Sequence, residues 1–427
     1  MTEEYSTSNQ SAETDSASLD AADPLARFRE RFFIPRATNG NEVIYLTGNS
    51  LGLQPKTARG YVEQELSDWE MLGVEGHVKA KNPWLPYHEF LTEPTSRIVG
   101  ALPSETVVMN ALTVNLHLLL VSFYRPTAIR RKIVIEKGAF PSDRYAVASQ
   151  ILFHGDAVDA QLIELAPRDG ETTLRTEDII ETIEHDGASI ALILLGGVNY
   201  YTGQAIDMKA IAAAGHQAGA VVGFDLAHAA GNLELKLHDW NVDFAVWCSY
   251  KYLNGGPGAV GGIFVHERHA NSFNLPRFAG WWGNNKDTRF LMEPEFEPLS
   301  GAEGWQLSNP PILQMAALRA SLEIFDEAGM SNLRQKSEKL TGYLQRLLDQ
   351  IGGDRLSVIT PRNSTERGCQ LSIRVKNADK RLLNAISERG VCADWREPDV
   401  IRVAPVPLYN SFADVYRFTE ILKDCLR

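Results

Sequence analysis

The chain has 427 residues, 44% of them hydrophobic and 22% charged, which is typical of a globular protein of roughly two or three domains. The formal charge of −12 argues against nucleic acid as the main partner. The four cysteines lie far apart, so we expect a reducing cytoplasm, no disulfide framework and no zinc knuckle. The longest apolar run, Ile190–Leu195, is far shorter than the roughly 20 residues of a membrane span. These features predict a soluble cytoplasmic protein without a membrane partner.

The N-terminus differs in composition from the rest of the chain. Residues 1–23 carry six acidic side chains and no basic one, which predicts a disordered acidic tail. Residues 24–75 contain a helical pattern at Leu53–Leu72, and we expect this segment to pack with a small C-terminal domain. Residues 76–310 are predicted to form the large domain.

The central part of the chain alternates β-rich runs with helical patterns that begin near Thr176 and Asp207. Several of the β-rich runs are apolar almost throughout, as in a parallel sheet covered on both faces. The alternation predicts an α/β fold with a mostly parallel sheet and right-handed crossovers. The predicted strands are Lys132–Glu136, Gln161–Leu165, Ser189–Leu195, Ala220–Asp225, Val242–Trp247 and Gly262–Val265.

The pattern changes after residue 310. Two long amphipathic helices are predicted at Pro311–Ala328 and Asn332–Ile351, followed by a strand-like run at Cys369–Val375 and a final helix at Ser411–Leu426. Residues 311–427 are therefore predicted to form a smaller α+β domain.

The segment Gly256–Gly261 matches the pattern GxGxxG. A dinucleotide-binding fingerprint must follow a strand and begin a helix, whereas these glycines precede the predicted strand Gly262–Val265 and contain Pro257. We interpret the segment as a tight glycine loop that allows close approach of the backbone to a bulky group.

Lys251 and Asp225 each follow or end a predicted apolar strand. In an open α/β sheet, ligands bind at the carboxyl ends of the strands, so both side chains are expected to face one crevice. A pyridoxal phosphate enzyme requires this pair, a lysine for the Schiff base and a carboxylate that keeps the pyridine nitrogen protonated. The sequence thus predicts pyridoxal phosphate as the cofactor.

Other residues could complete such a site, each with a structural alternative. Leu112 and Thr113 begin a helical run, where Thr113 could contact phosphate or cap the helix. Phe140 lies in a loop and could stack on the pyridine ring or bury itself in a turn. Arg402 is flanked by apolar residues and could bind a substrate carboxylate or extend toward solvent.

Several long motifs resemble those of the kynureninase family. They are FDLAHAAGN (224–232), CSYKYLNGGPG (248–258), MNALTVNLHLLL (109–120), YYTGQ (200–204) and IRVAPVPLYN (401–410). The resemblance extends from about Tyr45 to the C-terminus. Kynureninases are fold-type I pyridoxal phosphate enzymes of the class V aminotransferase group, so the resemblance implies an aspartate aminotransferase-like large domain.

The resemblance also implies roles for individual residues. Lys251 would bind the cofactor covalently, Asp225 would pair with its ring nitrogen, and Arg402 would bind the α-carboxylate of the substrate. The remaining cofactor contacts would come from Leu112, Thr113, Phe140, Asp143, His228, Tyr250, Trp281 and Asn309. The substrate ring would lie near His77, Ser308 and Asn309. One position departs from the family pattern, because Gly196 stands where some members have a serine that touches the cofactor.

The implied reaction is hydrolysis of the Cβ–Cγ bond of kynurenine or 3-hydroxykynurenine, which yields alanine and anthranilate or 3-hydroxyanthranilate. It would serve tryptophan degradation and NAD biosynthesis. Lys251 would remove the α-proton, and Tyr250 would either donate a proton late in the reaction or only hold phosphate. The family also implies a homodimer with its active site at the subunit interface.

Four alternatives compete with this interpretation. A cysteine desulfurase would need a nucleophilic thiol, for which Cys369 is the candidate, although a buried structural cysteine is more common. A plain aminotransferase would need a keto acid as second substrate, and a non-enzymatic binder would not need Lys251. His266 and His269 suggest a metal site, but we expect no third ligand nearby and therefore no metal.

Overall fold

The structure is a computed structural model that describes residues 13–427. Its centre is a seven-stranded sheet with the order β2-β8-β7-β6-β5-β3-β4. The strands from β3 to β7 pair in parallel, whereas β8 runs antiparallel to both of its neighbours. The strands are β2 (Thr106–Val108), β3 (Lys132–Glu136), β4 (Leu162–Leu165), β5 (Ile190–Gly196), β6 (Val221–Asp225), β7 (Phe244–Trp247) and β8 (Gly262–Val265).

Helices cover both faces of this sheet, as the apolar strands require. Successive residues of β5 alternate between two apolar cores: Leu192 and Leu194 pack with α5 and α6, and Ile193 and Leu195 pack with α8 and α9. The helices of this part are α2 (Ala58–Leu72), α3 (Gly76–Lys79), α4 (Glu89–Val99), α5 (Leu112–Phe123), α6 (Pro141–Phe153), α7 (Val158–Gln161), α8 (Thr176–Asp186) and α9 (Met208–Ala218). The predicted fold class is confirmed.

A second, smaller layer follows at the C-terminus. Its antiparallel sheet has the order β12-β13-β10-β9, and α11 and α13 share its apolar core. The short strand β1 (Ile44–Tyr45) pairs in parallel with β11, which links the N-terminal segment to this layer. The elements are α10 (Ile312–Ala328), α11 (Met330–Ile351), β9 (Leu356–Val358), β10 (Leu371–Val375), α12 (Lys380–Glu388), β11 (Val391–Cys392), β12 (Asp394–Arg396), β13 (Val400–Val403) and α13 (Phe412–Cys425).

The helix α10, predicted to belong to the small domain, packs elsewhere. Its buried residues Met315, Leu318 and Phe325 belong to the core of the large sheet, and α2 packs against it. Leu340 and Leu344 of α11 belong to the small core. Leu333, in the first turn of α11, still belongs to the core of the large sheet, so the chain passes from one core to the other within α11, between Leu333 and Leu340.

The prediction of a disordered tail as far as Asp23 is wrong for residues 13–23. Residues 13–21 form a helix, α1, whose Asp20 carboxylate accepts hydrogen bonds from the backbone N–H groups of Phe412 (2.7 Å) and Ala413 (3.0 Å). Asp23 forms a buried ion pair with Lys336 at 2.7 Å. The acidic side chains thus find donors in the C-terminal layer, which composition alone does not reveal. Residues 1–12 lie outside the described residues.

No helix within residues 13–427 combines the length and the apolar character needed to cross a bilayer.

Candidate active site

One pocket lies at the carboxyl edge of the parallel strands. Glu136 ends β3, Gly196 ends β5, Asp225 ends β6, and Lys251 follows shortly after β7. Parallel strands end at the same edge of a sheet, so these residues line one pocket. The structure thereby brings Asp225 and Lys251 to one crevice, where the sequence analysis placed them.

Most of the predicted cofactor residues line this pocket. They are Leu112, Thr113, Phe140, Asp143, Asp225, His228, Tyr250 and Lys251. The sequence analysis missed Glu136, Asn199 and Tyr200, which also line it. Glu136 carried a usable signal, because it ends an apolar strand just as Asp225 does.

The Lys251 side chain is hydrogen-bonded to a histidine. Lys251 is 9% exposed, and its Nζ donates to His228 Nε2 at 3.1 Å. Burial lowers the pKa of His228 well below its usual range, and the nearby charge of Lys251 lowers it further. The imidazole is therefore neutral and accepts the lysine hydrogen bond. Its Nδ1 is buried and finds no partner within the described chain.

Two carboxyl groups face each other beside the lysine. Burial raises the pKa of Asp143 well above its usual range, and the neighbouring Asp225 raises it further. Burial also raises the pKa of Asp225, although the Ala227 N–H, which donates to it at 2.6 Å, and Lys251 act in the opposite direction. Of the two, Asp225 is the one whose charged form is stabilised by a backbone N–H group.

The pocket ends at the N-terminus of α5. The N-cap residue, Ala111, makes no side-chain cap hydrogen bond, and Leu112 and Thr113 of the first turn line the pocket, so a helix N-terminus suited to an anion lies beside it. A Cβ at Gly261 would lie 2.7 Å from the Trp247 carbonyl oxygen and 3.2 Å from Leu112 N. The close approach inferred for the glycine loop therefore occurs at Gly261, and this loop precedes a strand, unlike a dinucleotide fingerprint.

Glu136 and Gly196 also line the pocket. Burial raises the pKa of Glu136 to about 7, while the hydrogen bond that Asn199 Nδ2 donates to it at 2.7 Å acts in the opposite direction. At Gly196 an added Cβ would meet only the Val198 carbonyl oxygen, at 3.6 Å. The position thus has room for the serine of other family members, although this chain lacks its hydroxyl.

Arg402 lies behind the pocket rather than in its lining. It is 1% exposed, its Nη1 donates to the Tyr200 carbonyl oxygen at 2.6 Å, and its Nη2 donates to Asp394. The register of β12 and β13 places Asp394 directly opposite Arg402. Burial lowers the pKa of Arg402, and the Asp394 carboxylate opposes this effect.

The other predicted residues do not reach the pocket in this chain. Trp281 is 40% exposed and donates from Nε1 to the Arg289 carbonyl oxygen at 3.0 Å, and Ser308 and Asn309 are exposed. His77 donates from Nδ1 to a backbone carbonyl at 2.9 Å, and its ring lies edge-on to Trp84 with centroids 5.4 Å apart. Their roles stay predictions.

The desulfurase candidate Cys369 is unsuited to catalysis. It is fully buried, it is absent from the pocket lining described here, and burial raises the pKa of its thiol to about 12. A thiol with so high a pKa supplies almost no thiolate near neutral pH.

The expectation of no third ligand near His266 is wrong. His266 lies beside Glu105 and His238, and the three could together face a metal ion. The Glu105 carboxylate, however, already accepts hydrogen bonds from His238 Nδ1 (2.9 Å), Glu267 N (2.7 Å) and Leu102 N (2.8 Å). Glu105 is thus the centre of a buried hydrogen-bond network.

Comparison with known sequences identifies the family. The sequence profile of the kynureninase C-terminal domain matches residues 333–422. The kynureninase of Koribacter versatilis is 65% identical over 402 residues, which cover 94% of this chain and 95% of that protein. The chain belongs to the kynureninase family. The kynureninase of Myxococcus xanthus is 60% identical over 405 residues, 95% of each chain, and the family prediction is confirmed.

Solved structures agree at the level of the fold. An apo cysteine desulfurase from Thermococcus onnurineus matches with a TM-score of 0.76 at 17% identity, covering 93% of this chain and 97% of that one. A variant of C-DES with glycine covalently linked to its pyridoxal phosphate cofactor gives a TM-score of 0.77 at 16% identity, covering 93% of this chain and 99% of that one. At such identities the likeness concerns the fold, and it confirms fold type I.

The pocket of this chain fits pyridoxal phosphate. It offers a lysine amine, the carboxyl group of Asp225, and a helix N-terminus for phosphate. Asp143 Oδ1 and His228 Nδ1 are buried there and make no hydrogen bond to any residue from 13 to 427, as expected of groups placed for a ligand. The predicted cofactor is confirmed.

Proposed function

We propose that the chain hydrolyses the Cβ–Cγ bond of L-kynurenine and of 3-hydroxy-L-kynurenine. The products are L-alanine and anthranilate or 3-hydroxyanthranilate, in tryptophan degradation and the biosynthesis of NAD and other pyridine nucleotides. The observation that carries the proposal is the pocket in which Lys251, Asp225 and the N-terminus of α5 meet, in a chain 65% identical to a kynureninase.

The pocket residues divide the work of holding the cofactor. Lys251 would bind it covalently and Asp225 would pair with its ring nitrogen, while Leu112, Thr113 and Tyr250 would hold the phosphate. Phe140, whose ring centroid lies 5.8 Å from Lys251 Nζ, would stack on the ring. When bound, pyridoxal phosphate supplies an electron sink for the charge that develops at the α-carbon of the substrate.

The same residues move the protons. Lys251 takes the α-proton, and the neutral His228 orients its amine through the 3.1 Å hydrogen bond. Burial raises the pKa of Tyr250 above its usual value, so its phenol is protonated. After the bond is cleaved, this phenol donates its proton to the alanyl carbon. Water adds to the γ-carbonyl, and its hydrogen and hydroxyl complete the two products.

The substrate is held at its two ends. Arg402 binds the α-carboxylate. By the family pattern, His77, Ser308 and Asn309 would lie around the aromatic ring. Because Nδ1 of His77 donates to the Val74 carbonyl oxygen, Nε2 is the nitrogen left to accept a hydrogen bond from a ring hydroxyl. This arrangement favours 3-hydroxykynurenine over kynurenine.

The active site is completed by a second copy of the chain. Trp281, Ser308 and Asn309 are exposed here, although the family pattern assigns them to cofactor and substrate. A cytoplasmic homodimer with active sites at its interface accounts for both facts.

The decisive experiment is product analysis. The purified chain with pyridoxal phosphate is expected to convert L-kynurenine into anthranilate and alanine in a one-to-one ratio. Lys251→Ala should stay folded but lose turnover, because no neighbouring group can replace its amine. Lys209→Ala, on the exposed side of α9, is the matched control and should keep full activity. More than a trace of turnover in Lys251→Ala would show that Lys251 has another role.

A further inference from the structure

A turn after β5, residues 199–203, joins the pocket to the small C-terminal layer. Asn199 and Tyr200 line the pocket. The carbonyl groups of the turn point the other way and accept hydrogen bonds from side chains of the small layer. Tyr200 O accepts from Arg402 Nη1 (2.6 Å) and Gln370 Nε2 (3.1 Å), Tyr201 O from Ser372 Oγ (2.6 Å), and Thr202 O from Thr360 Oγ1.

One side chain fixes the shape of this turn. Asn199 Oδ1 accepts hydrogen bonds from Tyr201 N (2.8 Å), Thr202 N (2.7 Å) and Thr202 Oγ1 (3.1 Å). Its Nδ2 donates to Glu136 Oε1 at 2.7 Å, which ties the turn to the end of β3. The direction of the Tyr200 carbonyl therefore depends on the Asn199 amide.

The Tyr200 carbonyl in turn sets the position of Arg402. The guanidinium is buried, and its two anchors are the Tyr200 carbonyl at Nη1 and Asp394 at Nη2. Its Nε is buried and bonds to nothing in the described chain, so a donor is kept for a carboxylate. A guanidinium held on two sides loses little freedom when it binds a third group.

We propose that Asn199 is a positioning residue for the substrate carboxylate, acting through the turn and Arg402. The proposal rests on the function proposed above, in which Arg402 binds that carboxylate. It predicts that Asn199 affects the binding of substrate and leaves the chemistry at Lys251 unchanged.

Asn199→Ala tests this directly in the holoenzyme. The KM for L-kynurenine should rise about tenfold, the equivalent of one charge-assisted hydrogen bond, while kcat changes less than about twofold. The visible absorbance of the bound cofactor should not change. Asn363→Ala is the matched control, because Asn363 builds a similar turn, accepting from Thr365 N (3.1 Å) and donating to Glu366 Oε1 (2.9 Å), on the surface. Its KM should equal that of the parent.

A donor–acceptor exchange separates positioning from general damage to the fold. Asn199→Asp places two carboxylates against each other and should raise KM. Adding Glu136→Gln restores one donor and one acceptor, and KM should return to within about threefold of the parent, since an amide again donates to a carboxylate with the two roles exchanged. A KM that stays high in the double variant would overturn the proposal, and so would an Asn199→Ala variant that loses kcat at constant KM.

The Arg402→Leu variant distinguishes failure of this inference from failure of the proposed function. If Arg402→Leu raises KM and Asn199→Ala does not, the inference alone is wrong. If neither variant raises KM, Arg402 does not bind the substrate carboxylate, and both statements fail.

Discussion

Arg402→Leu is the substitution that probes the substrate end of the site most cleanly. Leucine is smaller than arginine and fits the buried position, and Ile401 and Val403 keep their places because they point to the opposite face of β13, into the apolar core of the small layer. Among the described residues, the change leaves no buried partner of Arg402 without another hydrogen bond or ion pair. Asp394 is partly exposed and keeps Arg396 at 3.3 Å, and the Tyr200 carbonyl keeps Gln370 at 3.1 Å. The loss of folding stability should therefore stay within about 1–3 kcal/mol.

The effect on substrate binding should be larger than the effect on stability. A hydrogen bond to a charged group contributes about 1.5–3 kcal/mol, and each 1.4 kcal/mol corresponds to a tenfold change in affinity. Loss of the carboxylate contact should thus raise KM between about tenfold and a hundredfold. The visible spectrum of the bound cofactor should not change, because Arg402 does not line the pocket of Lys251.

Steady-state kinetics with L-kynurenine, followed by the appearance of anthranilate, measures the expected change. Arg396→Leu is the matched control. Arg396 forms an ion pair with the same Asp394, from within strand β12, but its side chain is more exposed than that of Arg402. Its KM should stay within about threefold of the parent, as for a half-exposed ion pair. Equal rises in KM for both variants, or a changed resting spectrum in Arg402→Leu, would refute the assignment of Arg402 to the substrate carboxylate.

Three further predictions address the charge, the specificity and the assembly of the site. Asp225→Asn keeps the acceptor for the Ala227 N–H but removes the negative charge, so kcat should fall about a hundredfold or more with little change in KM; an unaltered kcat would place Asp225 outside the cofactor site. The kcat/KM for 3-hydroxykynurenine should exceed that for kynurenine by about tenfold, and Asn309→Thr should narrow the gap, since one hydrogen bond is worth about 1–3 kcal/mol; equal efficiencies would exclude this preference. A mixture of the Lys251→Ala and Trp281→Ala variants should have activity that neither variant has alone. A mixture whose activity is only the sum of the two separate activities would count against an active site at the subunit interface.

The fold and the cofactor end of the pocket follow from local sequence patterns. The apolar strands predict a sheet covered on both faces, and the structure has alternating β5 residues in two cores. Strand ends in a parallel sheet share one edge, so the positions of Asp225 and Lys251 along the sequence already indicate that both meet there. Glu136 obeys the same rule and could have been found by it.

Other features depend on contacts that the sequence does not encode locally. The acidic composition of residues 13–23 predicts disorder, but Asp20 and Asp23 bind donors more than 300 residues away in the chain. Asn199 belongs to a turn whose role appears only when the small layer is placed against it. The ion pair between Arg402 and Asp394 depends on the register of β12 and β13.

The two ends of the active site differ in how they are built. The cofactor end consists of strand and helix termini, which the backbone of one chain fixes, and its groups are buried and mutually dependent: Lys251 donates to His228, and the neighbouring Asp225 raises the pKa of Asp143 beyond the effect of burial. The proposed substrate end consists of Arg402, held by a turn, and of exposed residues such as Asn309 that lie outside the lining of the Lys251 pocket. Small changes at exposed positions leave the folded core unaltered, so specificity for the aromatic ring can vary there while the cofactor chemistry stays constant.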